Sequence, residues 1–251
     1  MTRISAVIIT YNEENNIERC IKSLQQVADE VVVLDSYSTD NTKSISEKLG
    51  ARFVSYQFEN HIQQKNKAIE FAAHDWVLSL DADEALDDQL IASINEIKNS
   101  PQYFGYKMNR LANYCGKWIH HSGWYPDTKL RLFNKHKGAW GGTNPHDMYM
   151  LQDKNEKTGF LKGNILHYTF RTVTEHYAQA KRYSDIGAMA HFKKGKRSNW
   201  IMVVFSPIIR FVRDYIFNLG FMDGAEGFTI CKISAYTSYL KYKKMLALQN
   251  K

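Results

Sequence analysis

Four short, mostly apolar runs, separated by stretches of helical periodicity, constrain this chain more than any other feature in it. Ile4 to Ile9, the first of them, is rich in β-branched residues, and Glu30 to Leu34, Ala51 to Val54 and Trp76 to Leu80 are likewise short and mostly apolar. Runs of this kind belong to strands buried on both faces of a parallel sheet. Between them the pattern changes. Ile17, Cys20, Ile21 and Leu24 recur at helical spacing, Asp40 offers an N-cap for a helix reaching Leu49, and Ile62 to Ala73 reads as a third helix. Strands alternating with helices at this rhythm predict an α/β fold with a doubly wound, mostly parallel sheet, which takes its ligands outside the carboxyl ends of its strands.

After Asp87 one more helix is expected, to about Lys98, and then the rhythm breaks. Residues 103 to 168 are rich in Gly, Trp, Tyr and His and hold strand-like pieces at Gly105 to Asn109, Thr128 to Phe133 and Leu161 to Tyr168. This suits a mixed-sheet region with functional loops and no domain linker. From Thr172 onward helical patterns return near 173 to 193, 200 to 219 and 228 to 248, forming a helical annex. The expected organisation is one domain of two halves, 1–100 and 101–170, followed by the annex, 171–251.

Charge is distributed unevenly over this organisation. The chain has 33 Lys and Arg against 26 Asp and Glu, yet 13 of the cations and only 4 of the acids lie in residues 181 to 251. The basicity therefore belongs to the annex. Its apolar run from Trp200 to Phe217 is broken by Arg210, Arg213 and Asp214 before it reaches spanning length. With the basic run Lys193-Lys194-Gly195-Lys196-Arg197 before it and Lys241, Lys243 and Lys244 after it, the segment reads as a surface that lies on anionic lipid, or else as a buried packing or dimer helix. Cys20, Cys115 and Cys231 match no zinc or disulfide spacing, and no signal-peptide pattern opens the chain. The expected address is the cytoplasm, peripheral on the inner face of the cytoplasmic membrane.

The segment that carries chemistry is Leu80-Asp81-Ala82-Asp83-Glu84. It sets two carboxylates one residue apart at the carboxyl end of a buried strand, where they can hold a hard divalent cation together with a diphosphate. The plainer reading is that Asp83 caps the following helix. Asp35, at the end of the second strand, brings a further carboxylate to the same edge.

Four segments taken together resemble glycosyltransferase family 2, inverting enzymes of the GT-A type: Ile8-Ile9-Thr10-Tyr11-Asn12-Glu13-Glu14, Val33 to Thr42, Gln64-Lys65-Asn66-Lys67-Ala68, and Leu80 to Glu84. The resemblance implies that Thr10, Tyr11, Glu13 and Asp35 surround the nucleotide base and ribose. It implies that Asp81 and Asp83 lie at the diphosphate and a divalent metal, Mn²⁺ or Mg²⁺, with His167 completing the metal shell. Lys65 stands where many members have an arginine and would approach the diphosphate, unless it is a solvated helix residue. One departure is plain: Ser36-Tyr37 replaces the usual Asp-Gly. Inversion needs a general base. Asp147, in Gly141-Gly142-Thr143-Asn144-Pro145-His146-Asp147, resembles the corresponding acid of a subgroup close to bacterial lipopolysaccharide core-sugar transferases and is preferred to Asp127. Trp118, His120, His121, Trp124 and Tyr125 form either a platform for a sugar ring or an aromatic core corner.

The resulting expectation is addition of a single hexose, from a UDP-linked nucleotide sugar, to a glycan or glycolipid such as lipopolysaccharide core. A phosphatase-type hydrolase would carry its Asp-x-Asp after the first strand, and a sugar nucleotidyltransferase would have a Gly-rich loop where Thr10-Tyr11-Asn12-Glu13 stands. Nucleic acid is not an expected partner, because the basic tail has no reading motif and the acidic edge repels phosphate unless a metal intervenes.

Overall fold

In the computed structural model, which describes residues 1–143 and 146–249 and only the backbone at Thr143 and His146, each of the four apolar runs is a strand. They are β1 (Ile4–Thr10), β2 (Glu30–Asp35), β3 (Arg52–Ser55) and β4 (Trp76–Asp81), alternating with α1 (Ile17–Leu24), α2 (Thr42–Lys48) and α3 (His61–Glu70). β1 pairs in parallel with β2 on one side and β4 on the other, and β2 with β3. The two-residue period of a strand then divides the core. Ile4, Ala6 and Ile8 face one cluster with Ile17, Ile21 and Leu24 of α1, whereas Val7 joins Val32, Leu34 and Ala68 of α3 in a second. Burying each such Ile or Leu side chain is worth roughly 1.5–3 kcal/mol, so a polar substitution in β1 weakens one face or the other according to its parity.

The remaining elements are β5 (Glu84–Leu86), α4 (Asp88–Ile97), β6 (Gly105–Tyr114), β7 (Lys117–Ile119), β8 (Asp127–Asn134), β9 (Gly138–Thr143), β10 (His146–Leu151), β11 (Gly159–Phe170), α5 (Val173–Lys193), α6 (Trp200–Val212) and α7 (Gly224–Gln249). Among the described residues the main sheet has the order β3-β2-β1-β4-β8-β6-β11-β5, with β7 on β6, and β9 and β10 form a separate hairpin. β8 joins β4 antiparallel, which makes the sheet mixed beyond the four parallel strands.

The chain divides into two compact units. One comprises Met1–Arg110 and Asp127–His167, the other Leu111–Pro126 and the chain from Tyr168 onward. In the first, the hairpin covers the second core face by aromatic packing: Tyr149 stacks on Phe133 with centroids 3.4 Å apart, and Trp140 meets both edge-on. In the second, α5 begins with a capping box, Thr172 and Glu175, and α7 packs against both α5 and α6. No helix among the described residues is long and apolar enough to cross a membrane.

Two expectations about helix starts are corrected. The residue before α2 is Asn41, whose side chain makes no capping hydrogen bond. Asp40 instead accepts from the Thr42 and Glu14 amides, each at 3.0 Å, and so ties the first two strand-to-helix loops together. Asp83 does not cap α4: β5 intervenes, and Asp87 accepts from the Leu90 amide at 2.8 Å. β11 passes this helix start at Gly163, where φ is +98° and a Cβ would stand 2.2 Å from the Leu90 nitrogen, so only glycine fits.

Candidate active site

Parallel pairing fixes which residues share an edge. Thr10 is in register with Asp35, and Ile9 with Asp81, so the three polar residues end three adjacent strands. Asp35 is buried and accepts from both the amide and the hydroxyl of Ser38, the amide at 2.8 Å. Ser38 in turn accepts from the Asn12 amide at 2.8 Å, and Asn12 Oδ1 accepts from the Thr39 amide at 2.8 Å. Thr42 Oγ1 accepts from the Glu13 amide at 2.9 Å, and the Glu13 carboxylate accepts from Asn16. The loops after β1 and β2 are thus stitched into one rim, with Tyr11 exposed upon it. Tyr37, standing where the resemblance expects glycine, has φ +63°. The left-handed backbone is retained although a Cβ makes it cost about 1–2 kcal/mol. Ser36 accepts from Gln64 Nε2 at 3.1 Å, and Thr10 Oγ1 and Gln64 Oε1 are buried without a hydrogen-bond partner among the described residues.

Beyond the rim lies a charged network. Lys65 Nζ, on a side chain only 5% exposed, is 3.0 Å from Asp81 and 2.7 Å from Asp147, and it lies over the Trp140 ring at 4.6 Å. The solvated-lysine reading is thereby excluded. Arg131 is buried as well and reaches Asp81 at 3.0 Å and Glu84 at 3.1 Å, while Arg110 reaches Glu84 at 3.2 Å and Asp127 at 2.7 Å. Burial by itself would raise the Asp81 pKa, but Lys65 and Arg131 outweigh it and hold the carboxyl far below its ordinary range. Burial also pushes the Asp127 carboxyl up, and Arg110 and Lys129 outweigh it, so its pKa is lowered as well. Asp147 comes from β10; Asn144, Pro145 and the His146 side chain of its motif lie outside the described residues.

Asp83 belongs to a different group. Antiparallel pairing of β11 with β5 sets His167 opposite Glu84, and this brings His167 Nε2 within 3.1 Å of Asp83 Oδ2, both side chains partly exposed. Among the described residues no three His, Cys, Asp or Glu side chains are gathered closely enough to form a metal cage. An oxygen and an imidazole, open to solvent and beside a sheet edge, nevertheless fit Mn²⁺ or Mg²⁺ bound jointly with a diphosphate, because such ions keep several non-protein ligands.

Three members of the network, Glu84, Arg110 and Arg131, are absent from the sequence-based set. The signal for the arginines is a cation inside an apolar strand, as in Leu130-Arg131-Leu132-Phe133. In the second unit the aromatic cluster divides. Trp124 packs with Tyr114, Phe170 and His176 as a core corner, whereas Trp118 meets Tyr168 and His120 meets Tyr125 in edge-on pairs.

A model of the family described as Glycosyl transferase family 2 matches residues 5–159. An uncharacterized glycosyltransferase of Rickettsia bellii (strain RML369-C) is 31% identical over 98% of this chain and 87% of its own length. A lipopolysaccharide core biosynthesis glycosyltransferase, LpsC, of Rhizobium meliloti (strain 1021) is 28% identical over 96% of this chain and 91% of its own. Among solved structures, S. aureus TarS is similar over 73% of this chain and 39% of its own, with a TM-score of 0.47 and 16% identity. Glucosyl-3-phosphoglycerate synthase from Mycobacterium tuberculosis, in complex with Mg²⁺ and UDP, is similar over 54% of this chain and 57% of its own, with a TM-score of 0.41 and 18% identity.

Proposed function

Since the chain belongs to glycosyl transferase family 2, we propose that it is an inverting, metal-dependent hexosyltransferase acting from a UDP-linked sugar on a glycan or glycolipid hydroxyl of the lipopolysaccharide-core kind. The observation that carries this reading is the convergence of Thr10, Asp35 and Asp81 on adjoining strand ends, with the Asp83–His167 pair beside them. The relative named for lipopolysaccharide core biosynthesis, similar over nearly the whole chain, supports the acceptor class. The acceptor is taken to be membrane-borne, with the enzyme peripheral on the inner face of the cytoplasmic membrane.

In this reading the rim of Thr10, Tyr11, Glu13 and Asp35 holds the nucleoside. Asp83 and His167 would hold the metal, which supplies charge neutralisation for the departing nucleoside diphosphate. Lys65 presents a cation at the same edge, next to Asp81. Asp147 acts as general base: it takes the proton of the acceptor hydroxyl as that oxygen bonds to the anomeric carbon and the bond to the diphosphate oxygen breaks. Asp127, paired with Arg110 and Lys129 as Asp147 is with Lys65, is the alternative base. The test is product analysis with a panel of nucleotide sugars and acceptors. Release of a nucleoside diphosphate with inversion at the anomeric carbon is expected. Release of inorganic diphosphate would mean nucleotidyl transfer, and release of phosphate alone hydrolysis; either would overturn the reading.

A further inference from the structure

Helix α6 turns to solvent an apolar face that none of the described residues covers. Trp200, Ile201, Phe205, Ile208 and Ile209 follow the spacing of one helix face, and Trp200 is 71% and Ile209 65% exposed. The opposite face is spent on packing: Val203 is buried, and so is Asp214 just beyond the helix end. Arg210 and Arg213, the cations that interrupt the run in the sequence, both bond to Asp214, with Arg213 at 2.9 Å. Both guanidinium groups are tied to the buried Asp214 while remaining about half exposed, and the stripe itself, Trp200, Ile201, Phe205, Ile208 and Ile209, carries no charge. Exposed apolar stripes of this extent mark interaction surfaces.

The charges around the stripe say what covers it. Lys193, Lys194, Lys196 and Arg197 are all exposed immediately before α6 begins. Over the residues of this unit there are 15 Lys and Arg against 5 Asp and Glu, and the acids are already engaged. Asp185 pairs with Lys244 at 2.6 Å, Glu226 with Lys117 at 3.1 Å, Glu175 closes the capping box, and Asp214 and Asp223 are buried. A second copy of the chain would bring cations against cations. An anionic bilayer is complementary in both respects, with negative headgroups for the basic run and acyl chains for the stripe.

Resting on the membrane-borne acceptor proposed above, we infer that α6 is a bilayer-docking helix, lying in the plane of an anionic membrane with Trp200, Phe205 and Ile209 below the headgroups and residues 193–197 among them. The helix does not cross. Its apolar side enters by roughly 5–10 Å, the depth at which interfacial helices lie.

The experiment uses the full chain with vesicles of phosphatidylcholine, with and without phosphatidylglycerol, carrying brominated acyl chains as quenchers. Binding to the anionic vesicles should quench tryptophan fluorescence, and Trp200→Phe should abolish that quenching. Phe205→Ser with Ile209→Ser, both at exposed positions, should weaken sedimentation with anionic vesicles by about tenfold or more at any salt concentration. Replacing Lys193, Lys194, Lys196 and Arg197 by Gln should weaken it on the order of a hundredfold at low salt and remove most of the salt dependence. Quenching that survives Trp200→Phe, or apolar variants that bind like the wild type, would overturn the inference. So would a dimer in lipid-free ultracentrifugation that the Phe205 and Ile209 substitutions dissociate. Nucleoside diphosphate release, measured without vesicles, should be the same in the α6 variants as in the wild type. Its absence from every form would sink the transferase reading while leaving the lipid result standing.

Discussion

In the helical unit, Asp223 accepts from the amides of His120 and His121, from the Ser122 hydroxyl and from the His121 ring, all between 3.0 and 3.2 Å. In the sheet unit, Asp81 accepts from its neighbours' cations, Lys65 and Arg131, and remains 27% exposed at the side chain. Both are carboxylates withdrawn from water, but the compensation differs in kind. Backbone amides are fixed by the fold and can only hold a loop in shape. Ammonium and guanidinium groups at a strand end can exchange a carboxylate for a phosphate, since they bind either anion through charge-assisted hydrogen bonds. Asp223 is therefore read as structural and Asp81 as part of the chemistry.

The contrast can be broken first at Asp83, where the largest effect is expected. Asp83→Asn should lower turnover by roughly a thousandfold and remove the response to added Mn²⁺ or Mg²⁺, with an unchanged melting temperature. Steady-state rates across a metal titration check this, and full activity would dismiss the Asp83–His167 pair as a metal site. Next is Asp147→Asn, expected to cost on the order of a hundredfold in kcat with little change in donor affinity, because loss of a general base acts on the chemical step. Asp127→Asn should stay within a few-fold. If the two results are exchanged, the base is Asp127.

The helical unit should respond in stability and not in donor chemistry. Asp223→Ala leaves several buried donors without their acceptor and should cost about 3 kcal/mol in denaturant unfolding, while donor binding by the intact chain persists. Acid should discriminate the units in the same sense. Burial pulls the His176 pKa down to about 4, below its ordinary value of 6.5. The unfolded chain then binds the extra proton first as pH falls, so the His176 contribution should drop from about pH 6.5 and level off near pH 4, by roughly 3 kcal/mol. Asp81, whose pKa is lowered far beneath the ordinary carboxyl value, begins to cost stability only as pH nears 4 and below, where the unfolded carboxyl takes up a proton that the folded one does not. Chemical denaturation at several pH values, with His176→Phe as the comparison, measures the difference. The smallest effect belongs to Tyr37→Gly, which should stabilise the chain by about 1 kcal/mol by relieving the left-handed tyrosine. A loss of stability there would show that the Tyr37 side chain contributes packing that outweighs the strain.

The parallel strands and the helices between them were legible in the sequence, because a run buried on both faces must be apolar throughout and a one-sided helix must repeat every three to four residues. The boundaries of α5 agree with the periodic pattern to the residue. The strand-end acids were legible for the same reason: Asp35 and Asp81 stand where apolar runs stop. The hairpin was not. Its strands are Gly-rich or of mixed polarity, and what holds them is the meeting of Trp140 and Tyr149 with Phe133, a contact between distant segments that leaves no local period. β5 is too short, at three residues, to declare itself.

Pattern and spacing were enough to settle the order of the elements, the edge at which polar residues collect, and the excess of cations in the annex, since each depends on neighbours within a few positions along the chain. Tertiary structure alone decided the partners of those residues. That Lys65 bridges Asp81 and Asp147, that Arg131 is buried between Asp81 and Glu84, and that Arg210 and Arg213 both turn to Asp214 depends on which segments meet in space. A charge is a short-range property of one residue, but its compensation is set by whatever the fold brings within about 4 Å of it, and that distance has no counterpart in sequence separation.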